Sequence, residues 1–289
     1  MNDYVIMADS TCDFTGEIVQ QMEIYTIPFP FTINDITYKN YPDQREMKIA
    51  DFYQKMKNGA LPVTSQVNPT AYEEYFGEIL KKNKDIVYFC FSSGLSGSYQ
   101  SAVMAARNVM EEFPGKNVEV IDTTAASVGE AAIVYEASKK QKEGCSCEEL
   151  IKWAKENCKN ARHWFMVEDL YHLKRGGRVT AVEALVGTAL KIKPILSIDE
   201  EGKLNVISKV RGIKNALDYI VKNVEADTKD QKGNAVYFIG HADCQARAEK
   251  IVEMLKSDGF GMEYHIFEIG PVIGTHVGPG MCACAYLKK

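Results

Sequence analysis

The stretch from Asp85 to Phe113, DIVYFCFSSGLSGSYQSAVMAARNVMEEF, constrains the fold more than any other part of the chain. A continuous apolar run breaks at a bend of serines and glycines and resumes as an amphipathic helix. That is the pattern of a parallel strand buried on both faces, followed by its crossover helix. The same alternation begins at YVIMADS, passes through a short helix around TGEIVQQM and a second strand in IYTIPFPF, and continues with NVEVIDT and ASVGEAAIVYEASKKQKEG. Repeated strand–helix units predict a doubly wound α/β domain, with ligands expected where strand C-termini meet helix N-termini. Within it, Asn34 and Asp35 between alternating apolar residues predict an inserted hairpin. MKIADFYQKMKNG predicts a helix closed by Gly59, and Asn68 with Pro69 predicts the cap and first position of the next.

The pattern changes near residue 160. RHWFMVEDLYHLKRGGRV predicts a strand, a short helix and a glycine turn; AVEALVGTALKI predicts a further helix. KPILSIDEEGKLNVISKV predicts a hairpin turning at Glu201-Gly202. The helix GIKNALDYIVKNVEA, the strand AVYFIGHA, the helix CQARAEKIVEMLKS and the strands MEYHIFEIG and MCACAYL follow. Hairpins mixed with helices predict an α+β second domain. The expected division is therefore 1–160, an α/β domain carrying the small hairpin, and 161–289, an α+β domain, with the ligand between them.

Composition narrows the function classes. A formal net charge of −5 argues against a dedicated nucleic-acid binder, which normally presents a basic face. No apolar run reaches the length of a membrane span and no signal-peptide pattern opens the chain, so a cytoplasmic protein without stable membrane insertion is expected. Eight cysteines in 289 residues do not make a disulfide scaffold. Cys145 and Cys147 fall at a helix start, and Cys282 and Cys284 face one side of a strand by alternation. Neither pair has the neighbouring ligands a metal would need, and no metal is expected.

Small polar residues gather in four places: ADSTCD (Ala8–Asp13), TSQ (Thr64–Gln66), SSGLSGS (Ser92–Ser98) and GPVIGTHVGPG (Gly270–Gly280). Glycines let backbone approach a ligand, and N–H groups at helix starts favour an anion. No GxxxxGK[ST] or GxGxxG occurs, so nothing points to a nucleotide, and no cofactor is expected. A serine hydrolase could use Ser92, Ser93 or Ser96 with His276 as base and Asp9 or Asp122 to orient it, although no GxSxG elbow is present. Serines in such loops most often cap helices or close turns. The remaining reading is an uncharged polar pocket, with Thr64, Ser93 and His276 donating to a small carboxylic head group.

The pieces DSTCD, TSQ, SSGLSGSYQSA, EDLYHLKRGGRV, LKIKPILSI, KVRG and GPVIGTHVGPG, in this order over almost the whole chain, resemble the DegV family of fatty-acid-binding proteins that serve bacterial fatty acid kinase. The resemblance implies a non-enzymatic carrier that buries a long-chain fatty acid such as palmitate, stearate or oleate between two domains. It would present the carboxyl group to a separate ATP-dependent fatty acid kinase for acyl-phosphate formation. It further implies carboxyl contacts from Thr64 and Ser65, from Ser92, Ser93, Gly94 and Ser96, and from His276. Arg178 and Arg211 match arginines that the family associates with kinase docking or the phosphoryl group, with Arg175 a less consistent match. The competing readings are an esterase or thioesterase using Ser93 or Ser96 with His276, and a regulatory protein that senses acyl status.

Overall fold

The computed structural model describes residues 3–180 and 191–288. The helix expected in AVEALVGTALKI falls almost wholly on 181–190, outside the described residues. Strand β1 (Tyr4–Asp9) leads through a short 3-10 turn (Ser10–Cys12) to α1 (Gly16–Met22), whose first turn is capped by the Thr15 hydroxyl accepting from the Ile18 N–H. The single strand expected in IYTIPFPF is two, β2 (Tyr25–Ile27) and β3 (Phe29–Ile33). Pro28 lies between them, and without an N–H it cannot continue a ladder. β2 pairs with β1, whereas β3 leaves for a separate sheet.

There β3 forms the expected hairpin with β4 (Ile36–Asn40), turning at Asn34 and Asp35, which both adopt positive φ (50° and 62°) as a tight two-residue turn requires. Helix α2 (Ile49–Lys57) follows, and then the two-residue β5 (Val63–Thr64), which pairs with the other side of β3. Asn68 caps α3 (Pro69–Leu80) by accepting from the Ala71 N–H. β6 (Asp85–Cys90), α4 (Ser98–Glu112), β7 (Val118–Asp122), α5 (Val128–Lys142) and α6 (Cys147–Asn157) complete the first half. A reciprocal Ser146–Glu149 capping box starts α6.

The first sheet is parallel, in the order β2-β1-β6-β7. Strand order reverses between β1 and β6, which opens a crevice beyond their C-terminal ends. The second sheet has the order β10-β9-β8-β13-β11-β12 and is antiparallel except for its last pair. Its strands are β8 (Ala161–Met166), β9 (Ile192–Ile198), β10 (Leu204–Arg211), β11 (Val236–His241), β12 (Glu263–Glu268) and β13 (Cys282–Leu287). Between them lie α7 (Tyr171–Arg175), α8 (Ile213–Asp227), α9 (Gln245–Ser257) and α10 (Pro271–Val277).

Helices α8 and α9 cover one face of this sheet, sealing a core that includes Ile195, Ile220, Ile251, Cys282 and Cys284. The opposite face, with Phe165, Phe238, Ala283 and Ala285, belongs to the same apolar cluster as the first sheet. Helix α5 makes that continuity. Ala131, Ala132, Ile133 and Val134 are buried on successive sides of it, and it contacts β1 on one side and β8, β11 and β13 on the other. A helix buried all round has no solvent face to keep polar.

Candidate functional site

The crevice predicted by the strand order opens into a cavity of ≈ 170 Å³ lying between the two sheets. A single water needs only about 10–15 Å³, so this space is no packing defect. Its wall is chiefly apolar, with Phe29, Phe91, Phe165, Leu173, Val272 and Ile273 among the residues that face it. Its floor is the α5-facing side of the second sheet. There Ala283 pairs with Phe165 and Ala285 pairs with His163, and all four line the cavity.

Polar groups meet at the end formed by β5, α7 and α10. The Thr64 Oγ1 and His276 Nε2 are 2.8 Å apart across 212 residues of sequence. α10 begins at Pro271, with its fixed φ at the first helical position, and the Thr275 hydroxyl donates to the Pro271 carbonyl. His276 stands in the last turn, and its ring is admitted by the glycine turn after α7. A Cβ at Gly176 would lie 2.2 Å from Nδ1. Arg178 reaches the same end; its guanidinium donates to the Leu95 carbonyl (3.1 Å) and to the Gly176 carbonyl (2.5 Å). Arg175 donates to the Thr275 carbonyl at 3.4 Å.

Burial lowers the His276 pKa to about 3, with Arg178, Arg175 and His172 adding to the effect, so the ring is neutral. His276 Nδ1 has no hydrogen-bond partner. A buried orphan N–H is rarer than an under-used acceptor. The tautomer that avoids one keeps its proton on Nε2 and donates to Thr64, whose hydroxyl proton is then free to point into the cavity.

A second polar layer braces the loops from behind. The Asp13 carboxylate accepts from the Ser127 hydroxyl (2.6 Å) and the Gly270 N–H (2.9 Å), tying the start of α5 to the start of α10. Burial pushes the Asp13 pKa up to about 7, partly offset by those two donors. Asp9 accepts from the Phe91 N–H at 2.6 Å and from the Tyr88 hydroxyl, which fixes the loop after β6 to the end of β1. Burial raises its pKa as well. Thr11 donates to the fully buried Glu130, whose own pKa burial drives well above the ordinary carboxyl range.

The structure gathers part of the sequence-predicted set and disperses the rest. Thr64, Ser65, Ser96 and His276 line the cavity, and so does Arg178, expected instead on a docking face. Ser92, Ser93 and Gly94 are not among the lining residues. The Ser92 hydroxyl donates to the Gly202 carbonyl at 2.8 Å and so pins the β9–β10 hairpin. The Ser93 N–H is held by Asp122 at 3.1 Å, and Gly94 abuts the backbone of Glu201 and Gly202. Arg211 is exposed at the end of β10, away from the lining.

The hydrolase relay does not assemble among the described residues. His276 bonds Thr64 rather than a serine, the Ser96 hydroxyl lies 2.9 Å from that of Ser98, and Asp9 and Asp122 are committed to backbone and tyrosine donors. Sequence reasoning missed Thr11, Gln66, Ser127 and His163, which also line the cavity. Thr11 and Gln66 lie within ADSTCD and TSQ, segments already noted for their small polar residues, whereas Ser127, just ahead of α5, lies outside all four. His163 lies within an apolar strand and carries no such signal.

The model of the DegV family, described as an uncharacterised protein family, matches residues 3–289. A DegV domain-containing protein of Clostridium perfringens is 34% identical over 99% of this chain and 98% of its own length. Among solved structures, a DegV family protein from Thermus thermophilus described for its fatty acid binding superposes with a TM-score of 0.88 at 29% identity, covering 99% of this chain and 100% of that one. One from Ruminococcus gnavus, determined with vaccenic acid, gives 0.88 at 26% identity over 99% and 100%.

Proposed function

The chain belongs to the DegV family, and from that premise we propose that it is a cytoplasmic fatty-acid carrier. It would take up a long-chain acid such as palmitate, stearate or oleate and present the carboxyl group to a separate ATP-dependent fatty acid kinase for acyl-phosphate formation. The observation that carries the reading is a chiefly apolar cavity whose polar end joins Thr64, His276 and Arg178. Solved relatives described as binding fatty acids support it.

Each methylene withdrawn from water contributes roughly 0.8 kcal/mol, so about fourteen of them contribute on the order of 11 kcal/mol. Loss of translational, rotational and chain freedom offsets several kcal/mol, which leaves roughly micromolar to nanomolar affinity. The head group therefore governs orientation more than retention. The Thr64 hydroxyl donates to one carboxylate oxygen, and the Arg178 guanidinium places a cation in the same pocket, which favours the ionised form. The exposed Arg211 suits contact with the kinase or the phosphoryl group. The described residues supply no phosphate loop, and the proposed kinase supplies the ATP site.

Native and denaturing mass spectrometry of the purified protein tests the first half of this reading. A fatty acid released on denaturation is expected; a protein that emerges lipid-free and refuses both oleate and palmitate overturns it. Incubation with a fatty acid kinase, ATP and hydroxylamine tests the second half, with acyl hydroxamate as the expected product. Turnover of a p-nitrophenyl ester abolished by Ser93→Ala or Ser96→Ala would favour the esterase reading instead.

A further inference from the structure

Alternation along β13 puts Cys282 on the same face as Cys284, but the fold gives Cys282 a second sulfur neighbour, Cys244 at the cap of α9. The end of β11 and the turn after it run beside the start of β13. His241 pairs with Cys282, the Ala242 N–H donates to the Met281 carbonyl at 2.9 Å, and the Gly280 N–H donates to the Ala242 carbonyl at 2.7 Å. The Cys244 thiol closes on the same segment and donates to the Met281 carbonyl at 3.0 Å. There it accepts from the Cys282 thiol, and each of the two is the largest influence on the other's acidity.

The two thiols differ in exposure and in charge environment. Cys282 is fully buried, whereas Cys244 is only partly covered and open to a small solute. The Cys282 hydrogen bond lowers the Cys244 pKa, helped by Arg247 and the Ala242 N–H and opposed by burial and Glu168. Arg247 lies in the first turn of α9 and is itself fixed by Glu168 and by the Gly280 carbonyl at 2.6 Å. A helix N-terminus also favours a thiolate. Burial pushes the thiols of Cys12, Cys90, Cys145, Cys147, Cys158 and Cys284 upward instead. An accessible, acidified thiol beside a resolving one is the arrangement that turns a sulfenic acid into a disulfide.

We propose that Cys244 and Cys282 form a peroxide-sensitive thiol pair, in which Cys244 is attacked by the oxidant and Cys282 closes the disulfide. The Cys244 thiolate attacks the O–O bond of a hydroperoxide, keeps one oxygen as sulfenic acid and releases an alkoxide or hydroxide, which takes up the Cys244 proton. The Cys282 sulfur then displaces the sulfenic oxygen, which leaves as water with the Cys282 proton. Two thiols and one hydroperoxide thus give one disulfide, one water and one alcohol or second water. The bridge would lie beside Met281, which lines the cavity, and would tie the segment between α10 and β13 to the start of α9. The inference does not depend on the fatty-acid reading.

The test is hydrogen peroxide treatment of the reduced, intact protein, followed by alkylation in denaturant, digestion and mass spectrometry. The expected product has lost two hydrogen atoms and carries a Cys244–Cys282 bridge that dithiothreitol reverses, with the other cysteines alkylated. Cys284→Ser should leave the bridge in place. Cys244→Ser should abolish it, and Cys282→Ser should strand Cys244 as a sulfenic acid that dimedone traps. Because Cys282 is buried, the unaltered protein is decisive whatever the variants do. Cys244 left unmodified, Cys244 carried to sulfinic acid while Cys282 is still alkylated, or a bridge between other cysteines each overturns the inference.

Discussion

His276 shows how a residue's role is set by what surrounds it. The shared contact with Thr64 and the orphaned Nδ1 make it a neutral positioning group for the Thr64 hydroxyl. Thr64→Ala or His276→Ala is therefore expected to lower acyl-phosphate formation by about tenfold or more, the scale of a charge-assisted hydrogen bond. Retained lipid, measured by mass spectrometry of the same preparations, should fall far less, because the methylenes hold it. Loss of lipid from both folded variants would reverse these roles. The same ring predicts a pH response. Between about pH 6.5 and its folded value of about 3, the unfolded chain binds a proton that the folded, ligand-free protein excludes, so stability falls as pH falls through that window. His276→Asn should blunt the fall between pH 6.5 and pH 5 by up to about 1.4 kcal/mol per pH unit, read from urea unfolding. Thr64 and His276 were legible in the sequence as candidate polar residues because both stand in segments that gather small polar residues, and the structure brings them together at the cavity. Ser92 stands in such a segment too, but its hydroxyl serves the Gly202 carbonyl, a partner 110 residues away.

Elements place these groups, and the buried carboxylates at their ends hold the elements in position. Asp13 joins the start of α5 to the start of α10 through Ser127 and Gly270. Asp13→Ala would leave a buried hydroxyl and a buried N–H unpaired, and should lower stability by about 2–4 kcal/mol in chemical denaturation. Because α10 carries His276, acyl-phosphate formation should fall along with stability. Asn68→Ala removes only the α3 cap, on the exposed side of the molecule, and should cost about 1 kcal/mol with lipid binding unchanged. Most elements followed from periodicity and caps: the Asn34-Asp35 hairpin, the Asn68 cap and the β9–β10 hairpin stand where the sequence placed them. The glycine-rich C-terminal segment did not announce α10, since its glycines suggest a loop; burial against Tyr53 and Phe52 stabilises the helix instead.

At the scale of the molecule, α5 ties both sheets into one apolar cluster, so the expected halves 1–160 and 161–289 share a core. Thermal unfolding monitored by calorimetry should show a single transition, and a 1–160 fragment should expose the α5 face that meets β8, β11 and β13 and fail to fold cooperatively. Fatty acid at about one hundred times its dissociation constant should raise the stability of the intact chain by about 2.7 kcal/mol, and two separated transitions would contradict the shared core. The amino-acid sequence by itself determined most of the order of strands and helices, the expectation of a ligand where strand C-termini meet helix N-termini, and the family to which the chain belongs. Those follow from local periodicity and from short motifs. Only the tertiary structure decided which serines face the cavity, that Arg178 enters it, and that His163 lines its floor. A side chain's direction depends on which distant donor or acceptor reaches it, and that partner is brought near by the fold.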